Sequence, residues 1–371
     1  MKKKIKVLQF PIANTMGGTT QYVLQNWKYI DKSIFHFDFA TMSKKLDIAA
    51  ELEKSGSRIY YISCYAEEDE KKFIEEFRKI LKSGDYDIVH LHTNQWKSFS
   101  VEKVAKEEGI KKIIIHAHNS GISFANREFR DMEEKKHYDV RNKLTKDIAT
   151  DFWACSKMAA DFIYGKQISR EKIKIMKNAI EVNEFLYDEK IRNEYRRTLG
   201  VENRFVIGNV GRFVYQKNQE FLLQVFLEVI KEDKNCILLL IGTGEKESKY
   251  RNYVEQNGLQ NNVFFMGYRN DVKNLLQAMD VFVLPSRYEG LPISAIEAQT
   301  SGLKCLCSDK ITDEVKITNN LELLPLEVNI WKNKILNLKK GYKRENMAEI
   351  MTKAGYNINS QIKVLEKMYL E

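Results

Sequence analysis

Short apolar runs alternate with longer amphipathic ones along the whole chain. In the first half the apolar runs lie at 4–10, 36–40, 58–62, 88–92, 112–116 and 151–154. Between them, helical patterns occupy 20–30, 73–82 and 101–108. Strand, helix, strand in this rhythm predicts a parallel sheet covered by helices on both faces. The second half repeats it, with strands at 205–210, 237–241, 263–266, 281–284 and 303–306 and helices at 219–231, 246–257, 271–277 and 293–301. The polar segment 178–203 reads as the connection between the halves, and its charged portion 188–199 as a helix. A last helix at 356–370 places Ile358, Ile362, Leu365 and Tyr369 on one stripe, which must be buried against something. The expected fold is α/β, two doubly wound Rossmann-like domains facing across a cleft. The first takes residues 1–180 and, by a crossing back, the terminal helix at about 356–371; the second takes 181–355. In such folds ligands bind at the carboxyl ends of the strands.

Size and composition agree with this. A chain of 371 residues exceeds what one hydrophobic core usually serves. With 43% hydrophobic and 30% charged residues it reads as a soluble globular protein. No stretch approaches the roughly 20 apolar residues of a membrane span. The basic N-terminus, Lys2 to Lys4, precedes an apolar run interrupted by Lys6 and Gln9, so the segment reads as a first strand and not as an export signal. The five cysteines, Cys64, Cys155, Cys236, Cys305 and Cys307, have neither zinc-ligand nor disulfide-framework spacing. They read as buried thiols in a reducing cytoplasm. A net charge of +9 fits an anionic partner: a polyanionic substrate, an anionic membrane surface or nucleic acid. No basic stripe with interleaved stacking aromatics is present, which argues against nucleic acid.

Two constellations carry candidate chemistry. Glu289-Gly290-Leu291-Pro292-Ile293 through Glu297 follows a buried strand and opens a helix, with proline placed for its first turn. Backbone N–H groups of Gly290, Leu291 and Ile293, together with the helix dipole, form an anion site fit for a phosphate. Gly290 lets a ligand approach the backbone. Glu289 is placed to accept hydrogen bonds from sugar hydroxyls, and Glu297 lies about 12 Å further on if the whole run is helical. Either glutamate alone reads equally as a surface helix residue. Upstream, Gly211-Arg212 ends the strand 205–210, and Lys217 follows five residues later. An arginine fork and a mobile lysine can together neutralise a diphosphate, including the charge that grows on it as it leaves.

These motifs, with Met16-Gly17-Gly18, His116-Ala117-His118-Asn119, Ala154-Cys155-Ser156, Asn178-Ala179-Ile180-Glu181 and Gly267-Tyr268-Arg269-Asn270-Asp271-Val272, resemble retaining glycosyltransferases of family 4 with the GT-B fold. The resemblance covers nearly the whole chain and runs closest to the capsular and exopolysaccharide transferases of Gram-positive bacteria. It implies that Arg212 and Lys217 hold the diphosphate, Glu289 contacts the donor sugar and Glu297 the ribose. It implies also that backbone at Tyr268 and Arg269 edges the base, that Gly17 and Gly18 lie beneath the phosphates near the acceptor, and that His118 faces the donor sugar. Lys177 and Glu181 depart from the family pattern, where proline and aspartate are usual.

The activity so implied is transfer of a hexosyl or N-acetylhexosaminyl group from a UDP-sugar to a glycan or lipid-linked acceptor. No cofactor is expected beyond the nucleotide sugar, and no metal. The expected location is cytoplasmic, with peripheral contact to the anionic inner face of the cell membrane. Two rivals share the pattern: a UDP-sugar epimerase on the same architecture, and a non-catalytic partner of a transferase. The pairs His90/His92 and His116/His118 each share a strand face, which leaves a zinc site as an alternative to a sugar pocket. Asp85-Tyr86-Asp87 sits at a strand's amino end and reads as a surface turn. The charged stretch 126–146 reads as a solvated helix, or else as an acceptor-side or membrane-facing one.

Overall fold

The apolar runs form strands, and all of them pair in parallel. The computed structural model describes residues 3–14, 17–124 and 126–371. Lys2 of the basic N-terminus and Met16 of the glycine loop lie outside the described residues. The chain divides into two compact units. The first comprises Met1–Ile122, Glu128–Asn178 and Ile358–Glu371, and the second Ser123–Arg127 and Ala179–Asn357.

In the first unit the strands are β1 (Ile5–Phe10), β2 (Phe35–Thr41), β3 (Ile59–Tyr61), β4 (Ile88–Thr93), β5 (Lys112–Ala117), β6 (Asp151–Ala154) and β7 (Ile173–Ile175). They lie in the order β3-β2-β1-β4-β5-β6-β7. The register sets Gln9 beside His90 and His92 beside His116, so the polar residues of β1, β4 and β5 collect near one end of adjacent strands. Val7, Leu8, Val89, Ile114 and Ile115 are fully buried, as a central sheet covered on both faces requires. The terminal helix Ile358–Leu370 belongs to this unit. All four stripe residues, Ile358, Ile362, Leu365 and Tyr369, are buried, and the last three pack among Trp27, Phe35 and Phe37. Each such apolar side chain contributes about 1.5–3 kcal/mol relative to exposure.

The second unit carries β8 (Phe205–Val210), β9 (Cys236–Ile241), β10 (Val263–Gly267), β11 (Val281–Leu284), β12 (Lys304–Ser308) and β13 (Leu321–Leu324), in the order β10-β9-β8-β11-β12-β13. The charged segment 188–199 does form a helix, Glu189–Thr198, begun by the Asp188 carboxylate accepting from the backbone N–H of Lys190 and Ile191. A cap of this kind contributes about 1 kcal/mol. On the same helix Arg192 and Arg196 both bind Asp280, which precedes β11.

Several expectations need correction. The strands β7 and β13 have no counterpart in the sequence reading. Both are short edge strands whose exposed positions, Lys174 and Glu322 among them, interrupt any apolar run. The helix of the 126–146 stretch, Arg127–Arg141, is not solvated all round. His137 is fully buried, accepting from the Trp96 N–H and donating to the Phe162 carbonyl at 2.9 and 3.0 Å. Phe129 and Met132 on that helix are exposed. Cys64 is half-buried, unlike the other four free cysteines. The Asp85–Asp87 turn is structural. Asp85 pairs with Lys3, Asp87 accepts from the Lys6 N–H, and Tyr86 is buried against Asp38. No helix among the described residues is long and apolar enough to cross a membrane.

Candidate functional site

The carboxyl ends of four neighbouring strands, β10, β9, β8 and β11, bring the second unit's candidate residues to one edge. The loop after β8 holds Gly211, Arg212 and Lys217; the loop after β11 holds Glu289 and Gly290. The Lys217 Nζ lies 2.6 Å from Glu289 Oε1. Two neutral donors complete the carboxylate's shell, the Ser286 hydroxyl at 2.7 Å and the Gln216 amide at 3.2 Å. Only 7% of the Glu289 side chain and 15% of the Lys217 side chain is exposed. Around a carboxylate so enclosed, hydrogen bonds and a cation take the place of water. The two residues expected to touch different parts of one ligand thus touch each other.

Local backbone holds this pair. Asn218 is left-handed at φ 55°, one of two non-glycine residues with positive φ among the described residues. Its side chain spans the two loops, donating to the Pro285 carbonyl and accepting from Arg287. The Arg287 N–H in turn donates to the Gln216 carbonyl. A Cβ at Gly211 would lie 3.2–3.4 Å from the Lys217 stem, closer than side chains usually pack. Arg212 is exposed, and its guanidinium has no protein partner among the described residues.

Pro292 is the residue preceding the helix Ile293–Thr300, not the first of it, and no side chain caps that helix. The expected 12 Å rise between the glutamates therefore does not apply, because the chain is helical only from Ile293. The Ala295 N–H donates to the Pro292 carbonyl at 3.1 Å, while the N–H groups of Ile293 and Ser294 have no acceptor among the described residues. Gly290, Leu291 and Pro292 are buried, and Ile293 is half-buried. Glu297, on the second turn, is half-buried and surrounded by protein, which pushes its carboxyl up to about 7. It has no hydrogen-bonding or ionic partner among the described residues, so hydroxyl donors from a ligand would be its first.

Tyr268 is 58% exposed. It follows Gly267, whose carbonyl accepts from the Gly242 N–H at the end of β9. Arg269 is committed to Asp271 by two hydrogen bonds, and this pairing holds the Asp271 carboxyl down at about 2.

The sequence reading missed Gly242-Thr243-Gly244. A Cβ at Gly242, whose φ is +135°, would stand 2.2 Å from the Gly211 carbonyl oxygen, and one at Gly244 would stand 2.5 Å from that of Phe213. These glycines let the loop after β9 lie directly on the backbone of the Gly211–Phe213 turn. Two glycines one residue apart after the apolar run 237–241 were the available signal. Ser286, Gln216 and Asn218 were given no role, although Gln216 and Asn218 flank Lys217 in the same run.

In the first unit, Gly17 precedes the helix Gly18–Tyr29 with no side-chain cap, and Gly18 is exposed. His118 follows β5 and is 9% exposed. His90, His92, His116 and His118 form one buried cluster. His92 Nδ1 lies 2.9 Å from His118 Nε2, and His90 Nε2 lies 3.1 Å from His116 Nδ1. Burial lowers all four below the usual imidazole range, His118 to about 3. Ring nitrogens of His90, His92 and His116 lie within 4.8 Å of one another, which keeps the zinc alternative geometrically open.

An edge with an arginine, an enclosed lysine–glutamate pair and an uncapped helix start offers donors to an anion, beside carboxylates that can accept from hydroxyls. Residues 191–356 match the family described as glycosyl transferases group 1. The Staphylococcus aureus protein named capsular polysaccharide biosynthesis glycosyltransferase CapH is 26% identical over 99% of this chain and 99% of its own. An Escherichia coli enzyme, UDP-Gal:alpha-D-GlcNAc-diphosphoundecaprenol alpha-1,3-galactosyltransferase, is 23% identical over 99% of this chain and 97% of its own. Among solved structures, Anabaena HepE in complex with UDP-glucose superposes with a TM-score of 0.74 at 17% identity, covering 98% of this chain and 100% of that one. The fold is GT-B, built from two Rossmann-like parallel-sheet domains.

Proposed function

We propose that the protein is a retaining glycosyltransferase that moves a hexosyl or N-acetylhexosaminyl group from a UDP-sugar to a glycan or lipid-linked acceptor in surface polysaccharide biosynthesis. The observation that carries this reading is the Lys217–Glu289 pair, set beside an uncommitted Arg212 and an unpartnered Glu297 on one sheet edge. Arg212, Lys217 and the uncapped start of Ile293–Thr300 offer positive charge for a diphosphate. Glu289, already oriented by Ser286 and Gln216, has lone pairs left for sugar hydroxyls. Glu297 accepts from the ribose, backbone at Tyr268 and Arg269 borders the base, and His118 hydrogen-bonds the donor sugar. Gly17 and Gly18 line the acceptor side.

In the reaction the bond from the anomeric carbon to the diphosphate oxygen breaks. The acceptor hydroxyl attacks from the same face, and its proton passes to the departing phosphate. The protein's part is to hold donors where charge grows on the leaving diphosphate, and no metal is assigned to that task. The names of CapH and of the E. coli enzyme support the pathway and a lipid-linked acceptor, and the UDP-glucose complex of HepE supports the donor class.

Thermal unfolding with added nucleotides tests the reading. UDP and UDP-sugars at about 100 times their Kd should stabilise by about 2.7 kcal/mol. Indifference to every nucleoside diphosphate and nucleotide sugar would rule it out. A new epimer accumulating from UDP-sugar alone would favour the epimerase instead.

A further inference from the structure

The four buried histidines do not interact as a loose cluster. They form two arms that meet at one amide. The Gln9 amide nitrogen donates to the Tyr369 hydroxyl at 3.1 Å, and its carbonyl oxygen lies 2.8 Å from His92 Nε2. From Gln9 one arm runs through His92 to His118, and the other runs through Tyr369 and His90 to His116. The arms end on His118 Nδ1 and His116 Nε2, both buried and both without a partner.

Burial keeps each ring neutral, so each carries one proton and the arms have a direction. The Gln9 carbonyl can only accept, so His92 holds its proton on Nε2 and leaves Nδ1 bare. His118 must then donate from Nε2, and its Nδ1 is bare in turn. On the other arm Tyr369 accepts from Gln9 and donates to His90 Nδ1. His90 then donates from Nε2 to His116. Turning the amide over would reverse every proton in both arms.

We propose that Gln9 and Tyr369 are positioning residues that set the tautomer of His118, leaving its unprotonated Nδ1 as the acceptor for a hydroxyl of the donor sugar. This rests on the transferase reading for the identity of the ligand, but not for the proton arrangement. A buried ring nitrogen without a partner is unfavourable, and a ligand hydroxyl would relieve it. A metal on His90, His92 and His116 is the competing use of the same rings. It would have to break the bonds in which both nitrogens of His90 and His92 are already engaged.

Labelling the histidine rings with nitrogen-15 and recording long-range proton–nitrogen spectra of the full chain reads each tautomer directly. The wild type should show His118 protonated on Nε2 and bare on Nδ1. Gln9→Leu removes the acceptor from His92, whose proton then faces His118, so the His118 proton should move to Nδ1. Tyr369→Phe keeps the ring stacked on Trp153 and lets the amide turn, so His118 should show both tautomers. In kinetics, Gln9→Leu should raise the donor KM about tenfold, the loss of one hydrogen bond to the sugar. Inhibition by UDP, which has no sugar, should not change, whereas a general distortion would weaken both. A wild-type His118 protonated on Nδ1, tautomers unmoved in both variants, or stoichiometric zinc in the purified protein would overturn the proposal. Tautomers as expected in a protein that neither binds UDP nor transfers sugar would keep the relay and remove the transferase reading.

Discussion

The edge after β8 and β11 and the edge after β4 and β5 both lie at the carboxyl ends of neighbouring parallel strands, yet they handle polarity differently. In the second unit a cation and a carboxylate are paired, Lys217 against Glu289, and Arg212 is exposed. In the first unit four imidazoles are buried, uncharged and bonded in two pairs, His92 with His118 and His90 with His116. Charge persists where a counter-ion and oriented donors replace water, and it is shed where burial offers only neutral partners. An edge of the first kind suits a ligand that brings its own charge. An edge of the second kind suits hydroxyls, which need one acceptor or one donor of defined direction.

The sharpest way to break this contrast is to remove a cation. Arg212→Ala and Lys217→Ala should each lower transfer turnover about 10²- to 10³-fold, measured with a UDP-sugar at saturation. Only Lys217→Ala should also destabilise the fold, by about 3 kcal/mol in denaturant unfolding, because it strands the enclosed Glu289 carboxylate. Equal transfer rates in wild type and both variants would deny the charged edge its role.

Next comes the glycine contact beneath that edge. Gly242→Ala should lower stability by about 2 kcal/mol and weaken UDP binding together, since its Cβ meets the Gly211 carbonyl at an unfavourable φ. Unchanged calorimetric affinity would detach the β9 loop from the site.

Glu297 gives a smaller effect with a defined sign. Its folded pKa of about 7 stands above the ordinary value of 4.5, so the folded state holds a proton that the unfolded chain has lost. Stability therefore falls as pH rises from about 4.5 to 7 and stays lowered above that range. Glu297→Gln lacks this penalty and should be more stable than wild type at pH 8, by the order of 1 kcal/mol. The same variant should bind UDP more weakly, and it should lose the gain in affinity that the wild type shows as pH rises through about 7. Identical pH profiles would free Glu297 from the ribose. The least change is expected on chelation: EDTA should leave the transfer rate within experimental scatter, and an EDTA-sensitive rate restored by a divalent ion would require a different account of the leaving charge.

The residues by themselves determined the alternation of strands and helices, and with it the parallel sheets and their carboxyl edges, because periodicity is a local property of the chain. They also marked Gly211, Arg212, Lys217, Glu289 and Glu297, because phosphate and sugar recognition needs those residue types next to strand ends. The edge strands β7 and β13 escaped, since a strand with one neighbour needs no continuous apolar run. The partner of each polar group was decided only by the tertiary structure. Lys217 and Glu289 lie 72 residues apart, Gln9 and Tyr369 lie 360 apart, and no local pattern records such pairs. Their meeting depends on strand order and register, which come from packing the whole sheet. The same packing removes water, and water decides which groups keep their charge.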